Sequence, residues 1–324
     1  MRVVRVTWFG GPEVIEAGQA PEPVAGPGQV VVRVEAAEIN FVETQLRRGI
    51  TPGPPLPETP YVPGGGVAGR VARLGAGVDA SWQDRRVVTR TAGHGGGNAE
   101  LAVAAAADLI EVPDGLGLQE AAALLNDGST AVGLIANAGV RAGDWVLVEA
   151  AAGGLGSLLV QLALAAGARV VAAAGSADKL AVARGLGAEA AVDYGRPGWG
   201  KQVWEATGGT GPDVVFDGVG GRIGREAFEV TARGGRFSVH GASSGRATTI
   251  EPEEAARRGV TVLGLEQLAG LGADPRGRTE TALAAAAAGR IRPVIGRTFP
   301  LEQAADAHAA MEARAVPGKT LLLP

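Results

Sequence analysis

The segment Val146-Leu147-Val148-Glu149-Ala150-Ala151-Ala152-Gly153-Gly154-Leu155-Gly156-Ser157 decides the fold. A β-branched apolar run ends in small residues and opens into Leu158-Leu159-Val160-Gln161-Leu162-Ala163, which reads as strand, tight glycine turn and helix. Such a turn lets the backbone approach a pyrophosphate at a helix N-terminus, where unpaired N–H groups and the helix dipole favour anions. The spacing Ala151-x-Gly153-x-x-Gly156 is a variant of the dinucleotide fingerprint, with alanine in the first glycine's place. In a chain with 52 glycines the bare pattern says little. Its position between a strand and a helix gives it weight and makes Ala152, Gly153, Gly154, Leu155 and Gly156 candidate cofactor contacts.

A second strand follows at 168–174. In NAD-preferring sites an acidic residue about 20 positions beyond the glycines holds the ribose 2′-hydroxyl. Here that position is Gly175, followed by Ser176 and, three residues on, Lys179. No carboxylate repels a 2′-phosphate, and a hydroxyl and a cation stand where one would lie, so NADP(H) is the expected cofactor. Lys179 is one of three lysines, with Lys201 and Lys319, against 27 arginines.

The composition narrows the function classes. A length of 324 residues suggests two domains, and the formal charge of −4 gives no sign of a nucleic-acid or anionic-membrane partner. No run of 18 apolar residues is present, and the alternating N-terminus reads as a strand rather than a signal peptide, so a cytoplasmic location is expected. The chain has no cysteine, which removes disulfides, thiol catalysis and cysteine-ligated zinc. Its three histidines, His94, His240 and His308, lack metal-ligand spacing, and no metal site is expected.

Around the glycine turn the chain changes texture. Residues 1–120 look β-rich, with strands at 3–8, 30–34, 67–74 and 86–89 between Pro- and Gly-rich turns. Residues 51–63 hold six prolines and are expected to form an extended loop, and 93–97 a second loop. From about residue 120, helices alternate with strands at 145–149, 169–174, 190–192, 214–217, 235–240 and 260–265. A helix over 119–137 is expected to break near Gly128, and further helices are expected at 278–289 and 302–313 before a closing strand at 319–323. The alternation implies a parallel, doubly wound α/β sheet with right-handed crossovers. The alanine runs 104–107 and 284–288 are expected to be closely packed helix.

Further segments carry a resemblance: Phe9-Gly10-Gly11-Pro12-Glu13, Glu38-Ile39-Asn40-Phe41-Val42-Glu43 with Arg47-Arg48-Gly49, and Val62-Pro63-Gly64-Gly65-Gly66-Val67-Ala68-Gly69. Leu186-Gly187-Ala188, Val192-Asp193-Tyr194, Phe216-Asp217-Gly218-Val219-Gly220 and Gly318-Lys319 follow in order. With these the chain resembles, essentially end to end, the zinc-independent medium-chain dehydrogenases/reductases of the NADPH:quinone oxidoreductase (zeta-crystallin-like) group. The resemblance implies a GroES-like partial β-barrel catalytic domain over residues 1–120, completed by 290–324, and a Rossmann NADP(H)-binding domain over 121–289. It places the active site in the cleft separating them. It also implies hydride delivery from NADPH to a quinone or α,β-unsaturated carbonyl. In the zinc-dependent branch a His-Glu pair stands where this chain has Gly65-Gly66. A nucleotide-binding protein with little turnover, or a specialised biosynthetic enoyl or ketone reductase, is the alternative expectation.

The resemblance also implies site residues. Asn40 matches a cleft asparagine able to hold the nicotinamide or donate to substrate oxygen, although the same residue suits a turn at a strand end. Glu43 stands where aspartate is usual. It could relay a proton if its pKa is raised, but an ion pair with Arg47 one helical turn on is the favoured expectation. Gln45 replaces a common tyrosine and can donate a hydrogen bond without acting as an acid, while Tyr61 is expected to pack in its loop. Thr130 matches a threonine facing the nicotinamide ribose, or an N-cap. Tyr194 is expected beside Lys179 on the 2′-phosphate. Gly218, Val219, His240, Gly241 and Ser243 follow the fourth and fifth sheet strands, where ligands bind in open α/β sheets. His240 is expected to stack on or hydrogen-bond to the cofactor, and His94 and His308 to lie near the surface. A homodimer joined through the strand at 260–265 is expected.

Overall fold

The structure is a computed structural model that describes residues 1–51 and 55–324. Part of the proline-rich loop, residues 52–54, and the side chain of His94 lie outside what is described. The chain forms two compact units. One comprises 1–126, 283–288 and 293–324, and the other 127–282 with 289–292.

The first unit is built on the long strand Gln29–Ile39. Valines at 30, 31, 32 and 34 supply β-branched packing, and every residue from Ala36 to Ile39 is buried. Antiparallel neighbours flank it: Gly66–Leu74 on one side, with Leu101–Ala105 and Lys319–Leu323 also pairing along its length. The sheet extends through Arg86–Arg90 to Ile110–Glu111, and on the other side Ile295–Pro300 runs parallel to Lys319–Leu323. The strand Arg2–Val6 pairs with Ile15–Gln19. Valine side chains dominate the core, joined by Leu109, Phe299 and Leu322. The helix Leu118–Leu125 packs across these strands with six buried side chains. The register puts Thr320 opposite Ile39 and Ala37 opposite Val67, and these two pairings position the polar cluster described below.

The second unit is a six-stranded, wholly parallel sheet. Its spatial order is Ala190–Asp193, Arg169–Ala174, Trp145–Glu149, Val214–Asp217, Arg236–Val239 and Thr261–Leu263. In chain order this is 3-2-1-4-5-6, the doubly wound arrangement expected from the alternating pattern. Strand order reverses between Trp145–Glu149 and Val214–Asp217, and this switch point is where ligands bind in such sheets. One face packs Trp199, Val203, Phe228 and Phe237, with the two phenylalanine rings edge to face at 5.5 Å.

Several boundaries differ from the sequence expectations. The strand expected at 30–34 runs through to Ile39, and the helix expected over 119–137 is two helices, Leu118–Leu125 and Asp127–Asn137, divided at Asn126 rather than Gly128. The alanine run 104–107 is not helical. Ala104 and Ala105 end a strand and Ala106–Asp108 forms a 3-10 turn, because pairing with Gln29–Ile39 overrides alanine's helix propensity. The run 284–288 does lie largely in a helix, Pro275–Ala287.

Candidate active and cofactor site

In the second unit the strand Trp145–Glu149 leads through Ala150–Gly153 into the helix Gly154–Ala165. The residue with left-handed backbone is Ala150, at φ 47°, and its carbonyl accepts from Gly153 N–H at 2.8 Å. Alanine there costs roughly 1–2 kcal/mol relative to an unstrained conformation. Gly156 is the position where no side chain fits, since a Cβ would lie 2.3 Å from the Ala150 carbonyl oxygen. The helix can therefore approach the turn closely, with no side chain on its first three residues except Leu155. Gly153 spends its N–H on the Ala150 carbonyl, while Gly154 and Leu155 lie in the first turn of this helix, where N–H groups have no intrahelical partner, an arrangement that suits a pyrophosphate.

Four residues singled out in the sequence come together at the end of the next strand. Ser176 caps the helix Ala177–Gly185, its hydroxyl accepting from Lys179 N–H at 3.4 Å. The Tyr194 ring lies over Gly175, where a Cβ would meet its Cε2 at 3.0 Å. Tyr194 also packs edge-on against Trp199 at 6.3 Å. Gly175 thus makes room for the tyrosine, and the Tyr194 phenol borders the start of the helix that carries Ser176 and Lys179.

The switch point itself holds two fully buried carboxyl groups, Glu149 and Asp217, the last residues of adjacent strands. Asp217 accepts from Val219 N–H at 3.0 Å, from Gly220 N–H at 2.7 Å and from the Thr248 hydroxyl. Burial, then the neighbouring Asp217, pushes the Glu149 carboxyl well above the usual carboxylate range. Glu149 is therefore the protonated partner and Asp217 the acceptor for the turn that carries Gly218 and Val219. His240 lies on the same side. Its ring meets Phe216 edge-on at 6.3 Å, and Gly218 leaves it space, since a Cβ there would be 2.8 Å from Nε2. Burial depresses its pKa to about 4, so the imidazole is neutral. Ser243 N–H closes the turn onto the Gly218 carbonyl at 3.2 Å.

The first unit carries a second polar cluster. Asn40 precedes the helix Phe41–Arg47, and its side chain makes no capping bond. Instead Lys319 Nζ donates to Asn40 Oδ1 at 2.6 Å and forms an ion pair with Glu38 Oε2 at 2.8 Å. Asn126 donates to the other Glu38 oxygen, and Arg90 donates to Asn126 Oδ1 at 3.1 Å. Asn40 Nδ2 points to Glu43 Oε1 at 3.4 Å. Burial, then the Glu38 charge, raises the Glu43 carboxyl to about 7, while Lys319 and Asn40 pull it down. Gly66 faces this cluster. A Cβ there would lie 2.5 Å from Glu38 Oε1.

The geometry can be set beside known proteins. The "Alcohol dehydrogenase GroES-like domain" family matches residues 26–114, and the "Zinc-binding dehydrogenase" family matches residues 154–284. A "Quinone oxidoreductase" of Pseudomonas aeruginosa is 32% identical over 98% of this chain and 97% of its own. The chain belongs to the quinone oxidoreductase family, within the medium-chain dehydrogenases/reductases. Another relative, a "2-haloacrylate reductase" of a Burkholderia species, is 32% identical over 97% of this chain and 96% of its own. A mycobacterial protein solved in complex with NADPH superposes with a TM-score of 0.90 at 34% identity, over all of both chains.

In this quinone oxidoreductase family member, some sequence expectations need correction. Glu43 does not pair with Arg47. Arg47 is fully buried and donates to Glu312 on the helix Ala304–Glu312, while Glu43 turns to Asn40. The expected pair rested on spacing along one helical turn, whereas Glu43, Thr44 and Arg47 are all buried and take partners from other elements or from the preceding turn. His308, expected near the surface, is 1% exposed, and burial with the Arg47 charge depresses its pKa to about 3. Thr130 is not an N-cap, because its helix begins at Asp127. Gln45 is half-buried, with Nε2 3.3 Å from the Thr44 hydroxyl. Tyr61 packs against the first unit's core and pairs with Val6. Burial and the Glu43 charge raise its phenol to about 12. Among the described residues no cluster of three or more His, Cys, Asp or Glu could hold a metal, and no helix is long and apolar enough to cross a membrane. The partners of Asn40 went unread in the sequence. Lys319 is 279 residues away, and only the strand register brings it near.

Proposed function

We propose that the chain is an NADPH-dependent oxidoreductase that reduces a quinone or an α,β-unsaturated carbonyl. The observation that carries this reading is the glycine turn at the switch point combined with the Gly175–Ser176–Lys179–Tyr194 corner. The printed names of the relatives, quinone oxidoreductase and 2-haloacrylate reductase, support these two acceptor classes, and the NADPH complex of the mycobacterial structure supports the cofactor.

Bound NADPH would supply the hydride. The chain's own residues would hold and orient. Gly154 and Leu155 would donate backbone N–H groups to the pyrophosphate, with Ala152, Gly153 and Gly156 shaping the turn. Ser176, Lys179 and Tyr194 would hold the 2′-phosphate. Thr130, Gly218, Val219, neutral His240, Gly241 and Ser243 would line the nicotinamide end. Asn40 would donate to the acceptor's oxygen as negative charge develops there. Glu43, poised near neutrality, would hold and return a proton at its carboxyl. Gln45 would add a donor without acidity.

NADPH oxidation measured against a panel of quinones and enones tests the reading. NADPH binding without turnover on any acceptor overturns it. Lys179→Ala should weaken NADPH binding about tenfold and leave NADH binding unchanged, read by fluorescence titration. An unchanged NADPH/NADH ratio would put the 2′-phosphate elsewhere. The reading extends to a cytoplasmic homodimer joined through Thr261–Leu263, the edge strand of the six-stranded sheet. Light scattering at the mass of one chain would remove the dimer.

A further inference from the structure

We propose that Lys319 is a positioning residue that commits the Asn40 amide to act as a hydrogen-bond donor toward the acceptor's oxygen. The inference rests on the oxidoreductase reading above. An asparagine amide offers an acceptor oxygen and a donor nitrogen of nearly the same shape, and only its neighbours decide which faces a ligand. An ammonium donates and never accepts. With Lys319 Nζ 2.6 Å from one amide atom, that atom must be the oxygen, and Nδ2 is turned the other way.

The ammonium is itself fixed. Lys319 is 4% exposed, and its partner Glu38 is 0% exposed. Asn126 donates to Glu38, and Arg90, another obligate donor, sets the Asn126 amide by the same logic. The placement is written into the backbone. Thr320 pairs with Ile39, so the next residues along, Lys319 and Asn40, fall side by side. Ala37 pairs with Val67, so Gly66 falls opposite Glu38 and leaves it room. One Asn40 amide hydrogen is directed to Glu43 at 3.4 Å. The other can meet a carbonyl oxygen. A cation on the amide oxygen polarises the N–H bonds and strengthens that donation as charge grows on the acceptor.

The test is a double-mutant cycle with a quinone acceptor. Lys319→Met should lower kcat about 10- to 100-fold. KM and the NADPH dissociation constant should shift less than about threefold. Lys319→Arg should restore most of kcat. In an Asn40→Ala background Lys319→Met should cost no further kcat, whereas an equal loss in both backgrounds overturns the proposal. Because Lys319→Met strands a buried carboxylate, the paired variant Glu38→Gln/Lys319→Met is measured alongside it. It should fold and show the same kcat loss, and full kcat in it also overturns the proposal. A readout independent of turnover is the side-chain NH2 resonance pair of Asn40, identified by its disappearance in Asn40→Ala. It should move in the paired variant, and an unmoved pair counts against Lys319. A wild-type chain inactive on every acceptor would instead defeat the oxidoreductase reading, with the resonance test still deciding the positioning role.

Discussion

Glu38 and Glu149 are both fully buried carboxyl groups, and the chain accommodates them in opposite ways. Glu38 meets an ammonium and an amide, so its charge is compensated by hydrogen-bonded neighbours. Glu149 meets another carboxyl, Asp217, and is accommodated by retaining a proton. Under the proposed function, the contrast follows from what each site would present. A pocket that polarises an acceptor gains from a fixed positive charge. A turn that receives a pyrophosphate is better served without two negative charges beneath it, and the proton removes one of them.

The largest effect that would sharpen this contrast is on folding stability in the first unit. Lys319→Met leaves Glu38 buried without its cation and should cost about 3–5 kcal/mol by urea denaturation. Replacing Glu38 with glutamine as well should recover most of that loss. A Lys319→Met variant as stable as wild type would show that Glu38 is not held as a carboxylate.

The next test addresses the second unit through pH. The folded-state pKa of Glu149 is raised, so above about pH 4.5 the folded chain binds a proton that the unfolded chain has released. Stability from this group is full below the unfolded pKa and is lost as pH rises through the folded value. The slope is about 1.4 kcal/mol per pH unit while the two states differ by one proton. Glu149→Gln keeps a donor toward Asp217 but cannot ionise. Relative to wild type it should gain stability with rising pH, measured by thermal melts from pH 5 to 9. Parallel curves would mean that no proton is shared.

The smallest effect probes the turn between the pair and the cofactor helix. Ala150→Gly relieves a left-handed alanine and should change stability by about 1 kcal/mol or less, toward stabilisation. A loss of several kcal/mol would show that the alanine methyl packs in a way the backbone angle does not reveal.

Much of the second unit was legible because its signals are local. Strands Trp145–Glu149, Arg169–Ala174 and Val214–Asp217 fall where the apolar runs put them, and Gly175 through Lys179 lie within one turn of sequence. Tyr194 was reached only through the family resemblance, although its ring packs on Gly175. The first unit was harder to read because its cluster is assembled by register. Nothing near Asn40 announces Lys319, Arg90 or Asn126, and the misplaced Glu43–Arg47 pair shows local spacing outweighed by burial. The Ala150 turn shows a third case. The fingerprint placed alanine at the first-glycine position 151, while the residue needing left-handed backbone is one earlier.

Gly66 ties three distant positions of this fold together. Its missing Cβ is the space into which Glu38 reaches, and Leu125 Cδ2 lies just as near, at 2.5 Å from where that atom would be. The space is filled by an internal carboxylate with its own counter-ion, Lys319. Any side chain introduced at 66 alone would collide with Glu38 and Leu125. A larger residue at 66 therefore calls for a change at 38, and that change leaves Lys319 without its carboxylate. Residues 66, 38 and 319 thus form one coupled unit, and substitutions among them should combine non-additively.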